Sequence, residues 1–322
     1  MIEVKGKAGI SAKIILDSIS QAGVRITTFE LTYPRIIHSE ALTHRMFSRN
    51  SASSRAIPFT KMQEQLTACP VRFGAANPGM QDTGVDHDKL INGYTPLEWW
   101  ELAKQSAKSF AQGFFDAGYH KQVYNRNTEP YQMMKTVLTA TEFYNFFWLR
   151  NDAAADPTLQ ELARCMWECY TNHDSTVLEA GEWHLPYVFL TPNDKNGVSL
   201  IEENNNDFDE LSLEDAIKVS AARCAAVSFR NIDYGLEKCK EVYERLVRDK
   251  RKHASALEHQ ATPIIETEKT EHNQFVNVVV RPDTWQKGIS HIDRDGYFWS
   301  GNFKEWIQYR KLIPGENHDV QE

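Results

Sequence analysis

No stretch of this sequence stays apolar for long. Its longest aliphatic runs, such as Val278-Val279-Val280, are a few residues, whereas a membrane-spanning helix takes about 20. The opening residues MIEVKGKAGISAKI have no apolar centre of the kind a secretory leader carries, so a cytoplasmic protein is expected. Cysteine is scarce and odd in number: Cys69, Cys165, Cys169, Cys224 and Cys239. No CxxC occurs and no Cys/His spacing suits zinc, which argues against a disulfide framework or a metal centre and for free thiols in a reducing compartment. Basic charge is also in deficit, with 36 Lys and Arg against 44 Asp and Glu and a net charge of -8. A nucleic-acid coat needs a broad basic surface, so no nucleic-acid partner is expected. A local basic pocket around a small anion stays open.

What is present is ordinary for a folded chain: 41% hydrophobic and 25% charged among 322 residues. One elaborated domain over 1–322 is expected, with the polar, Asn-rich stretch at about 193–210 as an internal boundary between 1–195 and 210–322.

The patterning predicts helices at 11–22, 35–47, 95–117, near Lys121, at 139–149 and from Asp156-Pro157 to about Tyr170. Further helices are predicted at 212–227 and 236–248, with a last one capped by Asn302 and Glu305. Residues 24–33 (VRITTFELTY) alternate as a strand does, and 275–280 is a second strand. Residues 48–58 read as a polar loop. Thr95-Pro96-Leu97-Glu98 forms a capping box with proline at the first helical position. Helices outnumber strands without alternating with them, so the class is α+β.

The most informative run is HSEALTHRMFSRNSASSR at 38–55. On a helix, Glu40, Thr43 and His44 share a face, and Arg45, Arg49 and Arg55 approach a hydroxyl-rich turn. Guanidinium forks and serine hydroxyls are what a phosphate needs. The same composition also makes a solvated loop or a phosphorylation site.

From Thr43 to Arg55 this run resembles the signature R-H-R-x-x-S-x-N-E-x-S-x-R of the flavin-dependent thymidylate synthases. His44, Arg45, Ser48, Asn50, Ser53 and Arg55 stand in register. Residues 139–150 (TATEFYNFFWLR) resemble the family's N-x-R-S-L-x-N-F-L-x-L-R helix, keeping Asn145, Phe146, Leu149 and Arg150. Residues 223–229 (RCAAVSF) with Leu257-Glu258-His259 resemble R-A-A-R-V-S-F and P-F-E-H. These segments follow the signature here and precede it in the usual family order, so the chain looks permuted, like a longer, phage-like branch; a phage-encoded copy would work in the host cytoplasm.

The resemblance implies an α+β fold with a central sheet flanked by several helices, assembled as a homotetramer with shared active sites. It implies reductive methylation of dUMP to dTMP with FAD, NADPH and methylenetetrahydrofolate, and no attacking cysteine. His44, Arg45, Asn145 and His259 would contact FAD. Ser53, Arg55 and Arg150 would hold the nucleotide and carry the catalysis, with Glu40 where the family has Gln. Arg126 would add a phosphate contact from a neighbouring subunit. Taken as residues alone, Asn145 also suits helix packing, His259 a satisfied core histidine and Arg150 a helix C-cap. Trp99, Trp100, Trp183 and Tyr187 serve folate or core equally well.

Departures from the signature carry their own expectations. Thr43, Ser51, Ala226, Ala256 and Asp156 stand where the family has other groups. Gln308, Arg310 and Lys311 in the predicted last helix could compensate, because EWIQYR at 305–310 echoes EALTHR at 40–45 and sets Arg310 opposite Arg45. The alternatives are a related dUMP or dCMP methylase or hydroxymethylase, and a non-catalytic nucleotide-binding relative.

Overall fold

The computed structural model describes residues 2–188, 198–200, 209–229, 235–248, 252–265 and 284–316. The strand expected at 275–280 and most of the polar stretch at 193–210 lie outside the described residues. The architecture is α+β, built on antiparallel sheets with several helices.

The main sheet has six strands: β1 (Glu3–Lys5), β2 (Ser11–Ser20), β3 (Arg25–Pro34), β4 (Ser48–Ser51), β5 (Met133–Ala140) and β6 (Thr176–Leu178). They are ordered β1-β2-β3-β5-β4, and β6 runs parallel to the end of β2. Both faces are covered. On one, α5 (Tyr144–Arg150) and α6 (Pro157–Thr171) bury Phe143, Phe146, Leu159 and Met166 against Phe29 and Leu31. On the other, α7 (Leu213–Ala226) brings Cys224 against Ile15 and Val137. Each such aliphatic or aromatic burial contributes roughly 1.5–3 kcal/mol. A Phe29→Ala change, at the centre of the first layer, would cost about 3–5 kcal/mol.

Smaller elements complete the chain. A single turn, α1 (His38–Ala41), precedes β4, and α2 (Phe59–Gln63), α3 (Pro96–Asp116) and α4 (Lys121–Tyr124) form a side layer. The hairpin of β7 (Val198–Leu200) with β8 (Asp209–Leu211) leads into α7, which packs on α8 (Leu236–Arg248). Then β9 (Ala261–Pro263) pairs with β13 (Trp306–Gln308), and β10 (His291–Ile292), β11 (Phe298–Ser300) and β12 (Phe303–Lys304) form a three-stranded hairpin sheet.

The strong local signals give the predicted elements. Thr95 and Glu98 close a reciprocal capping box on α3. Asp156 accepts from the backbone of Thr158 and Leu159 at the start of α6, and Ser212 accepts from Asp215 N in α7.

Five expectations need correction. Residues 11–22 hold the strand β2. A register shift between Ile14 and Leu16 breaks its alternation, and both of its faces are buried, so the apolar spacing mimics a helix. The helix expected at 35–47 stops at Ala41, because Arg49 Nη1 donates to the carbonyls of Ala41 (3.0 Å) and His44 (3.1 Å) and ties off the turn. Residues 139 and 140 end β5, so the helix beyond them begins only at Tyr144, and the loop expected at 48–58 opens as β4. The last helix is reduced to a 3-10 turn at Tyr309–Leu312. Asn302 spends its amide on Met46 and Ser48, and Glu305 sits at φ 57, in the left-handed region, so 306–308 continue as strand beside β9. The echo between 40–45 and 305–310 therefore has no structural counterpart.

Candidate functional site

The turn between α1 and β4 carries His44 and Arg45. His44 meets Phe146 edge-on, with ring centroids 4.9 Å apart, and stacks on Phe47 at 5.9 Å. Arg150, the last residue of α5, donates its Nε–H to His44 Nε2 at 3.0 Å. A guanidinium has no acceptor, so His44 Nε2 accepts and its proton sits on Nδ1. Burial first, then the charges of Arg150 and Arg49, hold the imidazole below its ordinary pKa. The ring is neutral at pH 7 and offers one directed donor.

Beside this pair opens a pocket of about 490 Å³, within the range of roughly 300–1,000 Å³ typical of small-molecule sites. One wall is the turn from Thr43 to Phe47, and α5 adds Asn145 and Phe146. Trp299, Lys304 and Glu142 complete the lining. Lys304 Nζ lies 3.7 Å from Glu142 Oε1 and 3.7 Å above the Tyr297 ring. Arg45 makes no ion pair or hydrogen bond among the described residues. The pocket thus combines aromatic walls with a small cationic excess, the lining a planar ring with an anionic group requires.

The other predicted residues fall elsewhere in the chain. Ser53 and Arg55 lie past the far end of β4, a strand about 13 Å long. Ser53 N donates to the Ser228 carbonyl at 3.2 Å, and Arg55 is exposed. Arg126 is exposed on the neighbouring turn, where Asn125 Nδ2 donates to the carbonyls of Ser54 (2.8 Å) and Ile57 (3.0 Å). These three form a second group near one another and away from the pocket. Glu40 serves locally, its carbonyl accepting from the backbone and hydroxyl of Thr43.

His259 is fully buried on the opposite face of the sheet and does not line the pocket. Its Nδ1 lies 2.8 Å from Thr139 Oγ1, which lies 2.7 Å from Thr28 Oγ1. Thr28 Oγ1 is 2.8 Å from His184 Nε2, and His184 Nδ1 is 2.9 Å from Ser18 Oγ. No sequence signal marks this buried chain, since its members sit on three strands and two loops. Burial pushes the pKa of His184 and of His259 down to about 3, so both are neutral. His259 Nε2 is buried with no hydrogen-bond partner.

The C-terminal segment reaches the signature by other side chains than expected. Arg310 pairs with Glu258 and, at 2.5 Å, with Glu316, and its cation is spent there. Gln308 Nε2 donates to Ser48 Oγ at 3.2 Å and to Asn302 Oδ1 at 2.9 Å. Trp299 and Lys304, which the sequence reading did not single out, are the tail residues at the pocket. Nothing local marks them, because the other residues of the pocket, from Thr43 to Phe146, lie more than a hundred residues away.

No protein-family model matches the chain, and a search of curated proteins returns no match. Among the described residues, no helix is long and apolar enough to cross a membrane, and no three His, Cys, Asp or Glu side chains gather as a metal site requires.

Proposed function

We propose that this chain is a flavin-dependent enzyme of pyrimidine deoxynucleotide metabolism, carrying out the reductive methylation of dUMP to dTMP with methylenetetrahydrofolate and NADPH. One observation carries the reading. Two segments that each resemble the flavin-dependent thymidylate synthases, 106 residues apart, meet at the Arg150–His44 hydrogen bond and share one pocket with Arg45 and Asn145.

The residues fit a flavin nucleotide. Phe47, Phe146 and Trp299 offer flat apolar contact, and Arg45 is an unspent cation for a diphosphate. Asn145 and the Nδ1–H of His44 supply directed hydrogen bonds to a polar ring edge. When bound, FAD supplies the hydride chemistry. The protein's own part is to orient the reactants and keep water from the reacting face. Arg150 holds His44 in one tautomer and so acts as a positioning residue there. Ser53, Arg55 and Arg126 form the nucleotide end of the reading, with Glu40. Their distance from the pocket within one chain is accounted for by a homotetramer in which one chain's second group completes another's pocket.

The test is anaerobic turnover of the purified protein with FAD, NADPH, methylenetetrahydrofolate and either dUMP or dCMP. Formation of dTMP, with flavin absorbance near about 450 nm in the protein, is the expected result. A methylated or hydroxymethylated cytosine product moves the acceptor to dCMP. Absence of both FAD fluorescence quenching and a rise in Tm, with nucleotide present, overturns the reading.

A further inference from the structure

We infer that the C-terminal hairpin is the second wall of this pocket, and that Trp299 and Lys304 select its ligand, a planar aromatic ring carrying an anionic group. The inference deepens the flavin reading and rests on it only for the choice of first probe. Neither residue belongs to a segment that resembles the family.

Four observations converge. Trp299 is immobilised: its Nε1–H donates to Asp293 Oδ2 at 2.8 Å, and its ring lies 12° from parallel to His291 with centroids 5.8 Å apart. His291 does not line the pocket, whereas Trp299 does, so the indole borders the pocket with the part that His291 leaves open. Next, the hairpin is pinned to the turn before β4 and to the segment after β5. Asn302 Nδ2 donates to the Met46 carbonyl at 2.9 Å, and Lys304 N donates to Thr141 Oγ1 at 3.0 Å. The hairpin is therefore held beside the pocket by two hydrogen bonds, one from the turn joining β11 and β12 and one from β12 itself.

Third, the Lys304 ammonium rests on the Tyr297 ring, 3.7 Å from its centroid, and is only loosely paired with a carboxylate. Its Nζ is 3.7 Å from Glu142 Oε1, beyond hydrogen-bond length, and the carboxylate is itself 40% exposed. An anion entering the pocket can take the ammonium from Glu142 at little cost, since a partly exposed pair at that distance is weak. Fourth, the charges do not cancel. Arg45 and Lys304 face Glu142, with His44 neutral, which leaves one positive charge beside Phe47, Phe146 and Trp299. An aromatic ring without charge would leave that cation unmatched, and an anion without a ring would leave the aromatic walls wet.

The experiment compares ligand pairs that differ only in the phosphate: FMN against riboflavin, and dUMP against deoxyuridine. Each is titrated into the full chain and into Trp299→Ala and Lys304→Gln variants. Trp299→Ala should weaken both members of the bound pair by roughly tenfold, because ring stacking is lost. Lys304→Gln should weaken only the phosphorylated member, by roughly five- to tenfold. If Trp299→Ala does not fold, Trp299→Phe should keep affinity while relieving flavin quenching, and the Lys304→Gln pattern stands by itself. Wild type that binds FMN while both variants bind it equally well overturns this inference and leaves the flavin reading intact. Wild type that binds dUMP with the expected variant pattern, and no flavin, overturns the flavin reading and supports this inference. Binding of none of the four overturns this inference, and the flavin reading falls with it only if FAD also fails to bind.

Discussion

Arg150 donates its Nε–H to His44 Nε2 at 3.0 Å across 106 residues of chain. The bond fixes which imidazole nitrogen carries the proton and places a permanent cation against it. Burial and that cation both disfavour a protonated His44. In Arg150→Met the like charge and the competing donor are gone, so the His44 pKa should rise toward its ordinary value. An NMR titration of the His44 ring reads this directly. A pKa that stays put or falls would show that the two residues are not coupled.

The buried histidines make stability depend on pH. Burial takes His184 and His259 from 6.5 to about 3 in the folded chain. Below pH 6.5 the unfolded chain takes protons that the folded chain refuses. The stabilisation is therefore complete above pH 6.5 and is lost as the pH falls toward 3. Each such histidine costs about 2 kcal/mol at pH 5, and the two contributions add because both rings protonate in the unfolded chain and neither does in the folded one. Urea unfolding at pH 7 and pH 5 should differ by about that amount or more. Equal stabilities would refute the buried, neutral assignment.

Thiol chemistry should be slow. Cys165, Cys169, Cys224 and Cys239 are fully buried, and only Cys69 is partly exposed. Burial raises the thiols of Cys165 and Cys169 to about 11 and that of Cys224 higher still. No activated thiolate is available at these sites. At most one thiol per native chain should react with a disulfide reagent, and five after denaturation. A Cys224→Ser protein that folds should turn over normally. Loss of turnover in that variant with flavin still bound would reinstate a cysteine nucleophile.

Arg310 should matter to the fold and leave ligand affinity alone. Its partner Glu258 has a carboxyl raised by burial and held down chiefly by Arg310. Both side chains keep some solvent contact, 26% and 21%, so Arg310→Met should cost only about 1–2 kcal/mol. Adding Glu258→Gln should recover part of it in a double-mutant cycle. A large drop in FMN or dUMP affinity with unchanged stability would return Arg310 to the site.

Legibility followed the range of the signal. The helix α3 and the start of α6 were readable because caps act within a few residues, as Thr95 with Glu98 and Asp156 with Leu159 do. The strand β3 was readable from its alternation. The strand β2 was not, because its register shift at Ile14 and Leu16 and its two buried faces erase the period of two. At the pocket, His44, Arg45, Asn145 and Arg150 were legible as motif fragments, and the fold brings these four together. Trp299 and Lys304 were invisible because their roles depend on Asn302 reaching Met46, 256 residues away. His259 was legible as a residue and not as a place: its match to a motif said nothing of the sheet face on which it is sealed.

The contact between Ser48 and Asn302 spans 254 residues, and it dictates when the pocket can first exist. A chain leaving the ribosome exposes the turn at Ser48 some 254 residues before Asn302. Contacts of such separation form slowly because loop closure precedes any gain from them. Ligand that needs both sides of the pocket cannot template the first of them alone, and maturation of the pocket waits on a contact of long sequence separation.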